Sequence, residues 1–234
     1  MNLAVIMSMT AIPEEIARKI AKLEALAQRV GRHPGLLPEV FAGLGATPAR
    51  VKYGCLKLLR TLSESRPDLL YPEMGRLVQL LRSENQIMKW GAILMLGNLA
   101  AVDSERKIDG ILAEYLQPIS GPVMITAANV IHGAGKIAQA KPYLADRIAQ
   151  ALLRVEAANY QTAECHNVAL GHAVASLESF FGQVQQRAPV VDFVRRQLDN
   201  PRNAVKRKAA RFLKRCVPAP EPAARPRKTV GKSG

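Results

Sequence analysis

Apolar and small residues recur along this chain in five groups that share one internal spacing. Each group fills relative positions 0, +1, +4 and +7, which lie on a single face of an α-helix. Successive groups are 37, 38, 40 and 39 residues apart. The pattern predicts five amphipathic helices at a nearly constant period, which we term the first helices. The groups are Cys55, Leu56, Leu59, Leu62; Ala92, Ile93, Leu96, Leu99; Val130, Ile131, Ala134, Ile137; Leu170, Gly171, Val174, Leu177; and Ala209, Ala210, Leu213, Cys216.

Start signals precede most of these helices. Pro48, Pro122 and Pro201 each follow a residue suited to capping, as expected when proline takes the first helical position. Asn85 is predicted to cap the second of the first helices. For the fourth, both Asn159 and Thr162 are candidate caps.

Amphipathic segments also fill the intervals between the first helices. They cover about residues 66–82, 104–116, 142–155 and 186–198, and we term them the second helices. The repeating unit is then a helical hairpin of about forty residues. Upstream, predicted helices over residues 13–30 and 37–42 form an atypical N-terminal repeat, as expected of a cap.

The chain divides into three parts on this interpretation. Residues 1–12 form an N-terminal extension, residues 13–217 the repeat domain, and residues 218–234 a disordered, proline-containing basic tail. The extension is apolar, but it is too short to span a bilayer and no Lys or Arg precedes it, so no membrane segment is predicted. Because no alternating strand pattern competes with the helices, the predicted fold class is all-α. An ordinary helix bundle is the alternative to a solenoid.

The first helices resemble those of the HEAT-repeat superfamily. Such helices commonly read as an apolar residue and a basic residue, then a small residue, then Leu-Gly. The matches are Val51-Lys52, Met88-Lys89 and Val205-Lys206 for the first pair, Cys55, Ala92 and Ala209 for the small position, and Leu96-Gly97 for the ending. The third and fourth repeats depart from the pattern, since they carry Thr126-Ala127 and His166-Asn167. The resemblance implies a right-handed α-solenoid of HEAT-like hairpins over residues 48–217, in which the second helices usually line the concave side and bind a partner.

Positive charge is concentrated at the C-terminal end. The 234 residues carry a net charge of +14, and the last 34 contribute ten of these charges. The outer face of the last helix presents six cations, which predict attraction to a phosphate backbone or to an acidic protein surface. The competing interpretation is a polar terminal cap whose cations complement the helix dipole. The six are Lys206, Arg207, Lys208, Arg211, Lys214 and Arg215.

The second helices supply a second candidate surface. Their basic residues are mixed with Glu73, Glu114, Asp146 and Asp192, and this mixture suits a protein partner better than a polyanion. A solvated face with ordinary ion pairs is the alternative. The arginines expected on this concave protein-binding face are Arg76, Arg147, Arg154 and Arg195.

Recognisable catalytic chemistry is sparse. The three cysteines are far apart without metal-finger spacing, which indicates reduced thiols in a cytoplasmic protein. His132 and His172 occupy equivalent positions on neighbouring first helices and are expected to face each other, but no HExxH motif accompanies them. We therefore predict no catalytic residue, no metal and no cofactor.

These observations favour a non-enzymatic scaffold or adaptor that binds a protein on its concave face. Sequence-independent nucleic-acid binding through the basic C-terminal helix is the alternative. Size and basicity also resemble those of the helical-repeat alkylpurine DNA glycosylases. That family relies on several tryptophans and an acidic residue, whereas this chain has only Trp90.

Overall fold

The computed structural model describes residues 11–19 and 21–217, and these contain helices and no strand. The all-α prediction is confirmed for this part of the chain. The helices are α1 (Ile12–Arg18), α2 (Leu23–Arg32), α3 (Leu37–Gly43), α4 (Ala49–Ser65), α5 (Pro67–Leu70), α6 (Met74–Leu81), α7 (Gln86–Leu99), α8 (Lys107–Leu116), α9 (Met124–Ala140), α10 (Ala145–Leu153), α11 (Ala163–Phe180), α12 (Arg187–Arg196) and α13 (Asn203–Cys216). Short 3-10 turns join several of them.

The five predicted first helices are α4, α7, α9, α11 and α13, and they pack in a row. Each contacts the next along its length, so that α7 lies between α4 and α9, and α11 lies between α9 and α13. The second helices α6, α8, α10 and α12 each pack against one or two helices of this row. We term the row the first-helix layer and these four helices the second-helix layer, and apolar residues of both belong to one buried core.

Two predicted helices are interrupted in the structure. The helix expected over residues 13–30 is wrong, because Lys19 adopts a left-handed φ of 56° that ends α1 before α2 begins. Ile12 is fully buried and belongs to α1 rather than to the extension. The helix expected over residues 66–82 is broken by a 3-10 turn at Tyr71–Glu73, where Pro72 lacks an N–H for the α-helical hydrogen bond. Residues 1–10 and the predicted tail over 218–234 lie outside the described residues.

The observed starts of α4, α9 and α13 differ from the predicted positions of their prolines. Pro48 is the residue before α4, and Pro122 and Pro201 lie two residues before α9 and α13, so none of the three takes the first helical position. The Asn85 cap is confirmed, since its side-chain oxygen accepts hydrogen bonds from the N–H groups of Ile87 and Met88. Thr162 rather than Asn159 caps α11.

The predicted helix faces are buried in the first four groups. Packing between α7 and α9 is especially close: a Cβ placed on Gly97 would lie 2.9 Å from the Cα of Gly133. Glycines at this crossing therefore let the backbones of two helices touch.

The fifth group is only partly correct. Ala209 is buried, but Ala210 is exposed and Leu213 is half-buried, while the unpredicted Phe212 is fully buried. Phe212 packs edge-on against Phe181 at a centroid distance of 4.9 Å. The physical reason is position: α13 is the last of the first helices among the described residues, so no later helix in this part of the chain covers its +1 and +4 positions.

A buried ion pair links three successive repeats. The Asp103 carboxylate lies 2.9 Å from Lys141 Nζ and accepts a hydrogen bond from the Tyr71 hydroxyl at 2.8 Å. It also accepts from the N–H groups of Lys107 and Ile108, so the same side chain caps the start of α8. This cluster fixes the second-helix layer against the first.

Candidate macromolecular interaction surfaces

Several cations of the basic C-terminal helix form contacts within the protein. Arg211 donates to both oxygens of Glu178, and Arg215 donates to Glu178 Oε1 at 3.0 Å. Glu178 belongs to α11, and its side chain is only 8% exposed. The two arginines therefore tie the last first helix to its neighbour, and both are partly neutralised.

Lys208 is also engaged. Its ammonium group donates to the carbonyl oxygen of Gly171 at 3.0 Å. Burial lowers the pKa of Lys208, and the nearby charges of Arg211 and Arg202 lower it further. Three of the six predicted binding cations thus have structural contacts, whereas Lys206, Arg207 and Lys214 are exposed and form no ion pair with any described residue.

Several arginines of the second-helix layer form ion pairs. Arg82 makes two hydrogen bonds of 2.8 and 2.9 Å to Glu114, and Arg196 makes two of 2.7 Å to Glu156. These pairs join neighbouring repeats. Two predicted site residues have local partners: Arg76 lies 3.3 Å from Glu73, with its guanidinium also over the Phe41 ring, and Arg195 lies 3.4 Å from Asp192.

Arg147 and Arg154 differ from the arginines that form ion pairs. They lie seven residues apart and line one pocket of about 290 Å³ between α8 and α10. Within the described part of the chain, neither forms an ion pair. The remaining lining residues are Ala113, Leu116, Gln150 and Ala151. Two cations therefore flank a small, mostly apolar floor.

The first helices together carry more positive charge than the second helices. The five first helices contain twelve Lys and Arg against three Glu, whereas α6, α8, α10 and α12 contain six against four acidic residues. Six of the twelve cations belong to helices other than α13. The excess is uneven, since α4 and α13 carry ten of the twelve cations and α11 carries none.

Grooves cross the first-helix layer. One of about 380 Å³ lies over α7, with Lys57 and Arg60 on one side and Asn129 on the other. Trp90 lines it, and its indole N–H donates to Thr126 Oγ1 at 2.9 Å. The tryptophan singled out by the sequence therefore bridges two first helices at the edge of a basic groove.

The two histidines meet in a second groove. His132 and His172 line a pocket of about 240 Å³ between α9 and α11, together with Lys136 and Ser179. Burial lowers the pKa of His132, and the charges of Lys136 and Arg60 lower it further against a smaller opposing effect of Glu64. Burial, Lys208, His132 and Arg202 lower the pKa of His172. The pKa values of both imidazoles therefore lie below the ordinary value, because the rings are partly buried in a positive environment.

Metal coordination finds no support in the described residues, where no three His, Cys, Asp or Glu side chains cluster suitably. Of the helices in this part of the chain, none combines the length and apolar character needed to cross a bilayer.

Comparison with known proteins gives a likeness of fold. No protein-family model and no curated protein matches the chain. Among solved structures, the crystal structure of an engineered protein, a Northeast Structural Genomics Consortium target, resembles it with a TM-score of 0.53. The two sequences are 14% identical, and the match covers 87% of each chain. At this identity the likeness concerns the fold alone.

Proposed function

We propose that the protein is a non-enzymatic interaction scaffold built as a right-handed α-solenoid of HEAT-like hairpins. The row of first helices, each packed on the next, supports a one-dimensional array. The apolar-basic pairs and small residues noted in the sequence support the HEAT-like assignment.

We propose a curvature opposite to that expected from the resemblance. Successive first helices touch along their lengths, down to the Gly97 and Gly133 backbones, whereas successive second helices make few contacts with each other. Two layers with unequal helix spacing bend toward the more closely spaced one. The first-helix layer is then the concave side, and the second-helix layer is the convex side.

The partner proposed for the second-helix layer is a protein with an acidic segment. The observation that carries this proposal is the pocket at Arg147 and Arg154. The arginines on either side of it already have acidic partners, whereas the guanidinium groups of this pair have none among the described residues. Arginine suits such a contact because its planar fork binds carboxylates through two parallel hydrogen bonds.

Binding without turnover is proposed because polar groups at the grooves hold helices together. The Trp90 indole binds Thr126, Tyr53 Oη accepts from Asn85, and Ser176 Oγ donates to the Ile131 carbonyl. Groups used in this way are positioned for structure rather than for reaction with a substrate.

Differential capture tests the proposal. The intact protein, an Arg147→Glu/Arg154→Glu variant and a Lys57→Glu/Arg60→Glu variant serve as baits for proteins from the source cells. The two variants carry the same change in charge on different layers, so each controls for the other. We expect a protein that is retained by the intact bait and by the Lys57/Arg60 variant but lost by the Arg147/Arg154 variant.

The captured protein is then purified and titrated against the three baits by calorimetry. A decrease in affinity of at least tenfold for the Arg147/Arg154 variant is the expected result. Equal capture by both variants, or no partner with measurable affinity, would refute the second-helix surface. Turnover of a substrate that depends on a groove residue would refute the non-enzymatic function.

A further inference from the structure

Six cationic or histidine side chains lie along the first-helix layer, and we term them the basic strip. Arg60 on α4 and Lys136 on α9 both act electrostatically on His132, while Lys208 on α13 and His132 both act on His172. Members of the strip thus lie on α4, α9, α11 and α13, and α7 contributes none. Its members are Lys57, Arg60, His132, Lys136, His172 and Lys208.

Little negative charge opposes the strip. The helices α7 and α9 contain no acidic residue, and Glu64 is the acidic residue that acts on His132. Its contact with Arg60 is 3.5 Å long, with both side chains about half exposed, so it neutralises that arginine weakly. Glu178 is occupied by Arg211 and Arg215.

We propose that the basic strip binds the phosphate backbone of a nucleic-acid duplex along the concave side. Five helices in a row at the usual spacing of about 8–10 Å extend over roughly 35 Å, which is about one turn of B-DNA. Cations distributed along such a length match a regular series of phosphates. This surface is distinct from the second-helix pocket and does not depend on it.

The floor of the strip favours phosphates over an acidic protein. Between α9 and α11 the His132 and His172 rings lie beside Lys136 in one groove, whereas the Ser179 hydroxyl there donates to the Ser176 carbonyl oxygen. Ring N–H and ammonium groups donate to phosphate oxygens, as in protein contacts with the nucleic-acid backbone. A protein interface of this size would instead require a larger apolar centre.

The histidines make the proposed binding dependent on pH. His132 faces Arg60 and Glu64 on α4 and His172 on α11; His172 also faces Lys208 and Arg202. In the free protein, burial and the surrounding cations keep the pKa of both rings below the ordinary value. A bound phosphate adds a negative charge that raises their pKa, so binding takes up protons. Affinity is therefore expected to rise as the pH falls from 7.5 to 5.5.

The test uses the full chain and a fluorescently labelled duplex of about 20 base pairs with a mixed sequence. Fluorescence anisotropy is recorded over a salt series for the intact protein and for the Lys57→Glu/Arg60→Glu variant. With four to six phosphates neutralised, the logarithm of the binding constant is expected to fall with a slope of about −4 to −5 against the logarithm of salt. The variant is expected to lose at least tenfold in affinity and about two units of slope.

Two matched variants locate the site. Arg147→Glu/Arg154→Glu has the same charge change on the other layer and is expected to bind the duplex within about twofold of the intact protein. Lys206→Glu/Arg207→Glu tests the exposed cations of the C-terminal helix. Loss of binding only in this last variant would overturn the proposal, as would no binding by the intact protein at 50 mM salt. Circular dichroism confirms that each variant is folded.

Two further arms test the ligand class and the histidines. Polyglutamate that displaces the duplex as effectively as unlabelled duplex would identify an acidic protein as the ligand and overturn the assignment to phosphate. A His132→Gln/His172→Gln variant is expected to lose the increase in affinity below pH 7. An unchanged pH profile would exclude the histidines from the site.

Discussion

Single side chains connect repeats that are far apart in sequence. Asp103 lies in a turn, yet it holds Tyr71 of the preceding repeat and Lys141 of the following one. Burial alone would raise the pKa of Asp103. Hydrogen bonds from Lys141, Tyr71 and the backbone N–H groups of Ile108 and Lys107 outweigh this, so its pKa lies below the ordinary value. The charged carboxylate is thus the form that the fold stabilises.

Replacing Lys141 by Met is expected to destabilise the fold. The substitution leaves the Asp103 carboxylate buried without its cation, which costs about 3–5 kcal/mol in such pairs. Urea denaturation measures the change. In the double variant Asp103→Asn/Lys141→Met the uncompensated charge is gone, so part of the stability should return. A Lys141→Met protein as stable as the parent would show that the pair contributes little.

Acid is expected to weaken the same cluster. Because the pKa of Asp103 is lower in the folded state than in the unfolded state, its contribution to stability is complete above the unfolded pKa of about 3.9. This contribution is lost as the pH falls through the folded-state pKa. The free energy of unfolding, measured from pH 7 to pH 2, should therefore depend less on acid in Asp103→Asn than in the parent protein.

Glycines allow α7 and α9 of the first-helix layer to approach each other closely. At Gly97 and Gly133, the α7 and α9 backbones approach so closely that a methyl group has no space. Gly110 in α8 is not needed for close packing, since nothing lies within 4 Å of a Cβ built on it. The sequence shows glycines within several helices. Only the contacts between helices distinguish a glycine that close packing requires from one that has open space around it.

Gly97 and Gly110 give a matched pair of substitutions. Gly97→Ala places a methyl group against backbone that cannot move cheaply, so it should destabilise by about 1–3 kcal/mol. Gly110→Ala should instead stabilise by up to about 1 kcal/mol, because alanine favours helix and meets no neighbour. Thermal unfolding compares both with the parent. A destabilising Gly110→Ala together with a neutral Gly97→Ala would contradict the packing described.

The molecule as a whole separates its charge between two layers and ends its core at α13. Contacts that join repeats link residues roughly one period apart, as between Arg211 and Glu178 or between Arg196 and Glu156. Such a layout places like residues side by side along each layer. The cation excess of the first-helix layer lies mainly in α4 and α13, at the two ends of the row, while the second-helix layer is closer to neutral.

The C-terminal end of the core is tested by two neighbouring residues. Phe212 is fully buried against Phe181, so Phe212→Ala should cost about 3–5 kcal/mol. Leu213 was the core position expected from the repeat, but it is only half-buried, and Leu213→Ala should cost about 1–2 kcal/mol. Chemical denaturation of both variants gives the comparison. A larger loss of stability in Leu213→Ala than in Phe212→Ala would instead support Leu213 as the core position, as the repeat predicted.

The sequence by itself determined the helical fold class, the buried faces of the first four groups and the cap at Asn85, while it left Asn159 and Thr162 open as the cap of α11. These features follow from the positions of residues within one helix, where a spacing of three or four sets the face. The broken helices at Lys19 and Pro72 are local exceptions that the apolar pattern did not reveal.

The tertiary structure decided which charges are free. Glu178 occupies Arg211 and Arg215, and the Gly171 carbonyl holds Lys208, whereas Arg147 and Arg154 have no acidic partner among the described residues. It also brought His132 and His172 into one pocket and aligned the cations of separate helices. These outcomes depend on how one hairpin is rotated and shifted against the next, and that register arises from core packing between residues about forty positions apart.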